Sequence, residues 1–224
     1  MLAYAIAMTP KKRLLKIAEK LEEYYGPIPW ESEGDPLDVL ILTILSQNTN
    51  DLNRDRAYDA LTAAFPSHRA IVKAPTKKVA EAIKVGGMHF QKAARIQNVL
   101  REIHAEHGDY TLDHLWSMTR DEILAELTKY KGVGKKTAGI VLTFSLNKPY
   151  FPVDTHITRI TQRLGFVKER EDPHDVMNGL VPDELIYPFH LHLIYHGRET
   201  CKARKPLCEA CVIREYCPYP DKRA

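Results

Sequence analysis

Helix start and stop signals recur about every fifteen residues along this chain, while the two-residue alternation of a half-buried strand is almost absent. The expected fold class is all-α. Lys11–Tyr24 carries an apolar stripe of Leu14, Leu15, Ile17, Ala18 and Leu21 and stops at Gly26-Pro27. Asp35-Pro36 offers an N-cap and a first-turn proline for Leu37–Leu45, which is apolar on nearly every side and therefore central. The polar run from Ser46 to Asp51 closes it. Further helices are expected over Leu52–Phe65, after Ser67, from Pro75-Thr76 to Gly86-Gly87, and over Gln91–His107. Thr119 with Glu122 is a capping box opening Arg120–Tyr130. Lys136–Leu146 reads as helix, Asn147–Val153 as chain extended by Pro149 and Pro152, and Asp154 as the cap of Thr155–Leu164. Asp172-Pro173 and Val181-Pro182-Asp183 each open one more helix. With no repeat and no low-complexity linker, these short helices fit two lobes around a polar gap.

A chain of 224 residues, 44% hydrophobic and 27% charged, can bury one sizeable core or two small ones. Its formal net charge of +3 permits a polyanionic partner without demanding one, so the placement of charge must carry any nucleic-acid reading. The start MLAYAIAM has no basic region before it and is broken by Thr9-Pro10-Lys11-Lys12, so neither a signal peptide nor a membrane span is expected, and Met8 offers an alternative first residue. The compartment expected is cytoplasmic, with nucleoid association in a prokaryote. Disulfides are rare there, and the four cysteines need another explanation.

The stretch LTKYKGVGKKTAGIVL, residues 127–142, places Gly132-Val133-Gly134 between two short helices. Such a turn leaves the first amides of the second helix pointing outward, and with Lys135 it makes a seat for a backbone phosphate; the alternative is a helix connection that needs glycine dihedrals. Lys136 stands in the first turn, where the helix dipole and Lys135 both disfavour its protonated form. A lysine that is neutral part of the time can attack a sugar carbon and form an imine, whereas an ordinary second phosphate contact needs no such shift. Asp154 lies eighteen residues on. The intervening helix carries the chain about 15 Å away, and seven extended residues can bring it back by about 20 Å, so Asp154 can return to the level of Lys136 as well as cap its own helix.

Cys201, Cys208, Cys211 and Cys217 are separated by six, two and five residues. Four thiolates suit zinc or a four-iron, four-sulfur cluster, and a single Cys-x-x-Cys pair in so compact a run departs from the two pairs of a zinc ribbon. The loop between the first two holds Lys202, Arg204 and Lys205 and is either a solvated surface or a second phosphate grip.

Taken together, these residues resemble the endonuclease III family of DNA glycosylases, from about Leu37 to Cys217. GVGKKTAGIVL looks like the family's helix-hairpin-helix, FPVDTH like the stretch carrying its aspartate, and HGRETCKARKPLCEACVIREYC has its cluster spacing. The resemblance implies Lys136 as catalytic lysine, Asp154 as the aspartate assisting base loss, and the four cysteines as ligands of a [4Fe-4S] cluster. The residues read above place the DNA contacts at Gly132, Val133, Gly134 and Lys135, with Arg204 and Lys205 as a second grip on the cluster loop. Gln47 and Asn48, in LSQNTND, are grouped with these contacts. Asn48 falls where the family usually has a glutamine that fills the gap left by a flipped nucleotide, one methylene longer. Met88, in GGMHFQKA, falls on an apolar wedge that is often leucine.

The implied fold is two helical domains flanking a DNA-binding cleft: a six-helix domain over 29–148, and a cluster domain made of 1–28 and 149–224. The implied activity is a bifunctional glycosylase and abasic-site lyase acting as a monomer on oxidised pyrimidines in duplex DNA, with no membrane partner. Two rivals are a monofunctional mismatch glycosylase and a helix-hairpin-helix DNA-binding protein without chemistry. Mismatch relatives lack the lysine, and the adenine-specific ones have a glutamate at the position of Thr43 and a further C-terminal domain, so Lys136, Thr43 and the end at residue 224 speak against the first rival.

Overall fold

The computed structural model describes residues 8–219; Met1–Ala7, read above as an extension ahead of Met8, lies outside the described residues. Their regular elements are all helices, with no strand among the described residues. No helix among them is long and apolar enough to cross a membrane. The chain divides into two compact units, one over Ser32–Asn147 and one built from the residues up to Glu31 together with those from Lys148 onward.

The Ser32–Asn147 unit holds seven helices: α2 (Pro36–Ser46), α3 (Asp51–Ala64), α4 (His68–Lys73), α5 (Thr76–Ala82), α6 (His89–His107), α7 (Arg120–Thr128) and α8 (Lys135–Ile140). Their beginnings are set by the caps that the sequence offers. Asp35 accepts from the Leu37 amide at 2.8 Å, Asn50 from Asn53 at 2.9 Å, and Thr119 and Glu122 bond each other's backbone in the capping box. α2 is central, packed against α3, α6 and α8, with Leu37, Leu40, Ile41, Ile44 and Leu45 fully or almost fully buried. Each such side chain contributes roughly 1.5–3 kcal/mol of burial, which is what holds short helices that are marginal alone.

Two elements differ from the sequence expectation. The helix expected over Lys136–Leu146 is regular only to Ile140 and widens into a π-type turn over Val141–Ser145. There the Phe144 carbonyl accepts from the Glu33 amide at 2.8 Å, and the Ser145 hydroxyl donates to the Gly34 carbonyl at 2.6 Å. Bonds to the Ser32–Gly34 segment have replaced the last ladder bonds of the helix. The second is a short 3₁₀ turn at Asp113–Ser117, too brief for a periodic signal, which buries Leu115.

The other unit contains α1 (Pro10–Tyr25), α9 (Thr155–Arg163), α10 (Pro173–Leu180) and α11 (Ile186–Glu199), followed by the cysteine-bearing loop. α11 packs against both α1 and α9. Leu14, Ile17 and Leu21 of α1 share one core with Phe151, Ile157, Ile160, Met177, Phe189 and Leu193. Gly197 sits at the tightest point, where a Cβ would lie 2.8 Å from His156 Nδ1 and 2.9 Å from His156 Cβ. Arg159 bonds the Gly197 carbonyl at 2.9 Å and leaves that turn little room to retreat. Gly197→Ala would gain about 1 kcal/mol of helix propensity and lose roughly 1–3 kcal/mol to overpacking. The expected outcome is a net destabilisation, read as a lower urea midpoint; a raised midpoint would show that His156 moves aside freely.

Candidate functional site

The glycine turn separates its two glycines by role. Gly132 has φ +89°, a conformation that demands glycine, and a Cβ there would also displace the Arg95 side chain. Gly134 caps α8 in extended backbone that any residue adopts, and a Cβ there would meet nothing within 4 Å. Val133, expected among the DNA contacts, turns inward: its side chain is 4% exposed and its amide donates to the Tyr130 carbonyl at 2.9 Å. Lys135 and Lys136 occupy the first turn of α8 and are half-buried. The Lys136 ammonium has no ion pair or side-chain hydrogen bond among the described residues. Thr43 is buried on α2 and donates to the Val39 carbonyl at 2.7 Å.

Asn48 and Met88, forty residues apart, come together. Both adopt left-handed backbone, with φ 53° and 47°, and Asn48 Nδ2 donates to Met88 Sδ at 3.2 Å. Both are exposed, as are Val85 and Phe90 beside Met88. The two loops are tied from beneath by Lys92, which is 2% exposed. Its Nζ donates to the carbonyls of Leu45 and Gly86, at 2.7 Å each. Burial lowers the Lys92 pKa below the ordinary lysine value. Arg95, one turn further along α6, bonds the Gln47 side chain and lies where a Gly132 Cβ would fall. One face of α6 therefore fixes Gln47, Asn48, Met88 and the glycine turn.

In the other unit, Asp154 is the N-cap of α9, its Oδ1 accepting from the Ile157 amide at 2.8 Å. The extended run before it is pinned at three points: Asn178 Oδ1 accepts from the Phe151 amide at 2.8 Å, Asn178 Nδ2 donates to the Phe151 carbonyl at 3.0 Å, and His190 Nδ1 is 2.9 Å from the Pro152 carbonyl. Lys136 and Asp154 thus belong to different units, each held by its own neighbours.

The four cysteines form no disulfide and, with Ile160, Leu164 and Ile213, line a small apolar cavity. Arg163 Nη1 donates to Cys201 Sγ at 3.3 Å, and His196 Nε2 lies 3.6 Å from Cys211 Sγ. Burial pushes the Cys211 thiol up to about 11, helped by the other three thiols and opposed by the Ile213 amide, and it pushes His196 down to about 4. Four cysteine sulfurs around an apolar pocket, with a guanidinium and an imidazole beside them, suit a cationic metal group that would compensate the charge of thiolate ligands. Arg163 also donates to the Lys202 and Ala203 carbonyls at 2.8 and 3.1 Å, and Arg204 and Lys205 remain exposed on that loop.

Residues 41–182 match the model of the HhH-GPD superfamily of base excision DNA repair proteins, and residues 201–217 match the iron-sulfur binding domain of endonuclease III. The chain belongs to the endonuclease III family. It is 37% identical to endonuclease III of Thermotoga maritima over 85% of this chain and 86% of that protein. It is 31% identical to the Escherichia coli K12 enzyme over 96% of this chain and 99% of that one. Among solved structures, a trapped endonuclease III–DNA covalent intermediate superposes with a TM-score of 0.80 at 25% identity, over 94% of this chain and 97% of that one. As a family member the protein is a DNA glycosylase of base excision repair, it binds DNA through a helix-hairpin-helix, and it carries a [4Fe-4S] cluster.

Sequence reasoning missed Lys92, Arg95, Asn178, His190 and Arg163, because each is a lone polar residue whose partner is far along the chain. Replacing Lys92 by methionine keeps the stem and leaves two carbonyls without a donor, at roughly 1–3 kcal/mol each. Lys92→Met should lower stability by about 2 kcal/mol or more and speed amide exchange at Gly86–Met88. An unchanged exchange pattern there would show that the loops hold themselves.

Proposed function

We propose that this endonuclease III family member is a bifunctional glycosylase and abasic-site lyase that acts as a monomer on oxidised pyrimidines in duplex DNA. The observation that carries this reading is Lys136: an amine without an internal partner, in the first turn after the glycine turn. In the proposed course the damaged nucleotide leaves the stack at a cost of a few kcal/mol, which a lesion reduces. Asn48 and Met88 fill its place. The Lys136 amine attacks C1′ as the C1′–N bond to the base breaks and the base leaves with the bond pair, taking up a proton. Loss of the amine proton and opening of the sugar ring give a Schiff base. Removal of a C2′ proton then expels the 3′ phosphate and nicks the strand.

Asp154 acts on the same nucleotide by stabilising the cationic sugar or accepting the lysine proton. Its carboxylate has the second oxygen for this while Oδ1 caps α9. Cys201, Cys208, Cys211 and Cys217 hold the [4Fe-4S] cluster, which when bound supplies the iron–thiolate bonds that close their loop. The Arg163 bonds to Lys202 and Ala203 then aim Arg204 and Lys205 at backbone phosphates. The DNA so engaged is the cell's own chromosome, so the working place is the nucleoid in a prokaryotic cell.

Borohydride trapping tests the lysine. The wild type should crosslink to a duplex containing thymine glycol, whereas Lys136→Ala should not crosslink and should lose strand cleavage by roughly 10²–10⁴-fold. Normal trapping by Lys136→Ala would end this reading, and base release without cleavage by the wild type would point to the monofunctional rival. The turn supplies a second test. Gly134→Val should cost no more than about 1 kcal/mol of stability, as a poorer N-cap that meets no clash, yet weaken DNA binding by about tenfold or more, because the open space is where a phosphate approaches. Gly132→Ala should lower stability itself. Unchanged binding by Gly134→Val would remove the turn from the interface.

A further inference from the structure

Away from the glycine turn and the cysteines, three side chains converge where the end of α6, the Asp113–Ser117 turn and the last turn of α7 meet. His107 Nε2 lies 3.4 Å from Glu126 Oε1, and His114 Nε2 lies 4.0 Å from that oxygen. The three ligand atoms all fall within 4.8 Å of one another. Tetrahedral zinc with bonds of about 2.0 Å sets its ligands about 3.3 Å apart, so the cluster needs only a small contraction to close on an ion.

Three further observations separate this group from an ordinary solvated cluster. His114 Nε2 is buried and has no hydrogen-bond partner among the described residues, an arrangement that a coordinate bond would resolve. The two imidazoles stack with centroids 4.0 Å apart, a spacing that disfavours two protonated rings and suits two neutral ones. The carboxylate is also oriented from behind: Lys129 Nζ holds Glu126 Oε2 at 2.8 Å and leaves Oε1 to face the histidines. Such outer support is typical of metal-binding carboxylates. The Tyr130 hydroxyl donates weakly to the same Oε1 at 3.4 Å, a bond that a metal would replace.

We propose that His107, His114 and Glu126 form a binding site for one divalent transition cation of the zinc class, separate from the cysteine cluster. Two nitrogens and one carboxylate oxygen leave a fourth position for water or for Glu106, whose Oε2 is 3.7 Å from His107 Nε2. The bound ion joins the end of α6 to α7. α6 carries Lys92 and Arg95, and α7 leads into the glycine turn, so the site would stiffen the frame of the proposed DNA interface from its far end.

The test uses the holoprotein with its iron-sulfur chromophore intact and Zn²⁺ as the probe. Isothermal titration should show one equivalent bound, with a rise of a few degrees in Tm and no loss of the cluster's visible absorbance. Zinc-edge X-ray absorption should show nitrogen and oxygen neighbours near about 2.0 Å and no sulfur near about 2.3 Å. His114→Asn should weaken binding at least tenfold. His107→Gln, at an exposed position, should do the same and serves as the test if the first variant folds poorly. No binding, binding that both variants retain, or sulfur neighbours with bleaching of the chromophore would each overturn the proposal.

Discussion

The Lys92 ammonium, closed off from water and bonded to the Leu45 and Gly86 carbonyls, is the contact on which the proposed interface unit depends. Desolvating that charge works against folding, and two short bonds to carbonyls compensate only while both loops stay where they are. The loops then have little choice of path: Met88 is held in a left-handed conformation that it does not favour, and Asn48 in one that asparagine tolerates better than most residues. Local backbone strain of this kind persists where the surroundings over-determine it. Here the surroundings are one buried side chain and the helix that carries it.

The second unit solves the same problem with different chemistry. Its Phe151–Val153 run has no ladder of its own, so Asn178 and His190 bond its backbone from two neighbouring helices and set where Asp154 begins α9. Arg159 and Arg163 do the equivalent for the cysteine loop, donating to the carbonyls of Gly197, Cys201, Lys202 and Ala203. In each case an irregular segment with a proposed chemical role has its backbone groups satisfied by a polar side chain on a neighbouring helix. Irregular backbone that was left to water would be free to fray, and Arg is suited to this work because its planar fork serves several acceptors at once.

Much of this was legible in the sequence because it is local. Asp35, Thr119 with Glu122, Asp154 and Asp172 mark helix starts by reaching two or three residues along their own chain, and all four do so in the structure. The cysteine spacing and the glycine turn are local in the same sense. What could not be read depends on partners far away in the chain. Lys92 reaches Leu45 across 47 residues, and Arg95 reaches Gln47 across 48. On an amphipathic helix each looks like one more solvated cation. The π-type turn at Val141–Ser145 was hidden for the same reason, since the Ser32 hydroxyl and the Glu33 amide donate to its carbonyls, and Ser145 donates to Gly34, from more than a hundred residues away.

The glycine turn shows why an identical residue can need two kinds of explanation. At Gly132 the requirement is internal: a positive φ, and Arg95 packed where a side chain would stand. The folded chain accounts for that glycine completely. At Gly134 the folded chain accounts for nothing, because the backbone is ordinary and the space beyond it is open. As the N-cap of α8, glycine ranks below Asn, Asp and Ser, whose side chains could bond a free amide of the first turn, so helix stability alone does not call for it. A residue that the fold does not itself require points to an object outside the chain, one that must approach the backbone more closely than any side chain would allow. A phosphate seated over the first turn of α8, beside Lys135 and within reach of a nucleotide placed before Lys136, has that property.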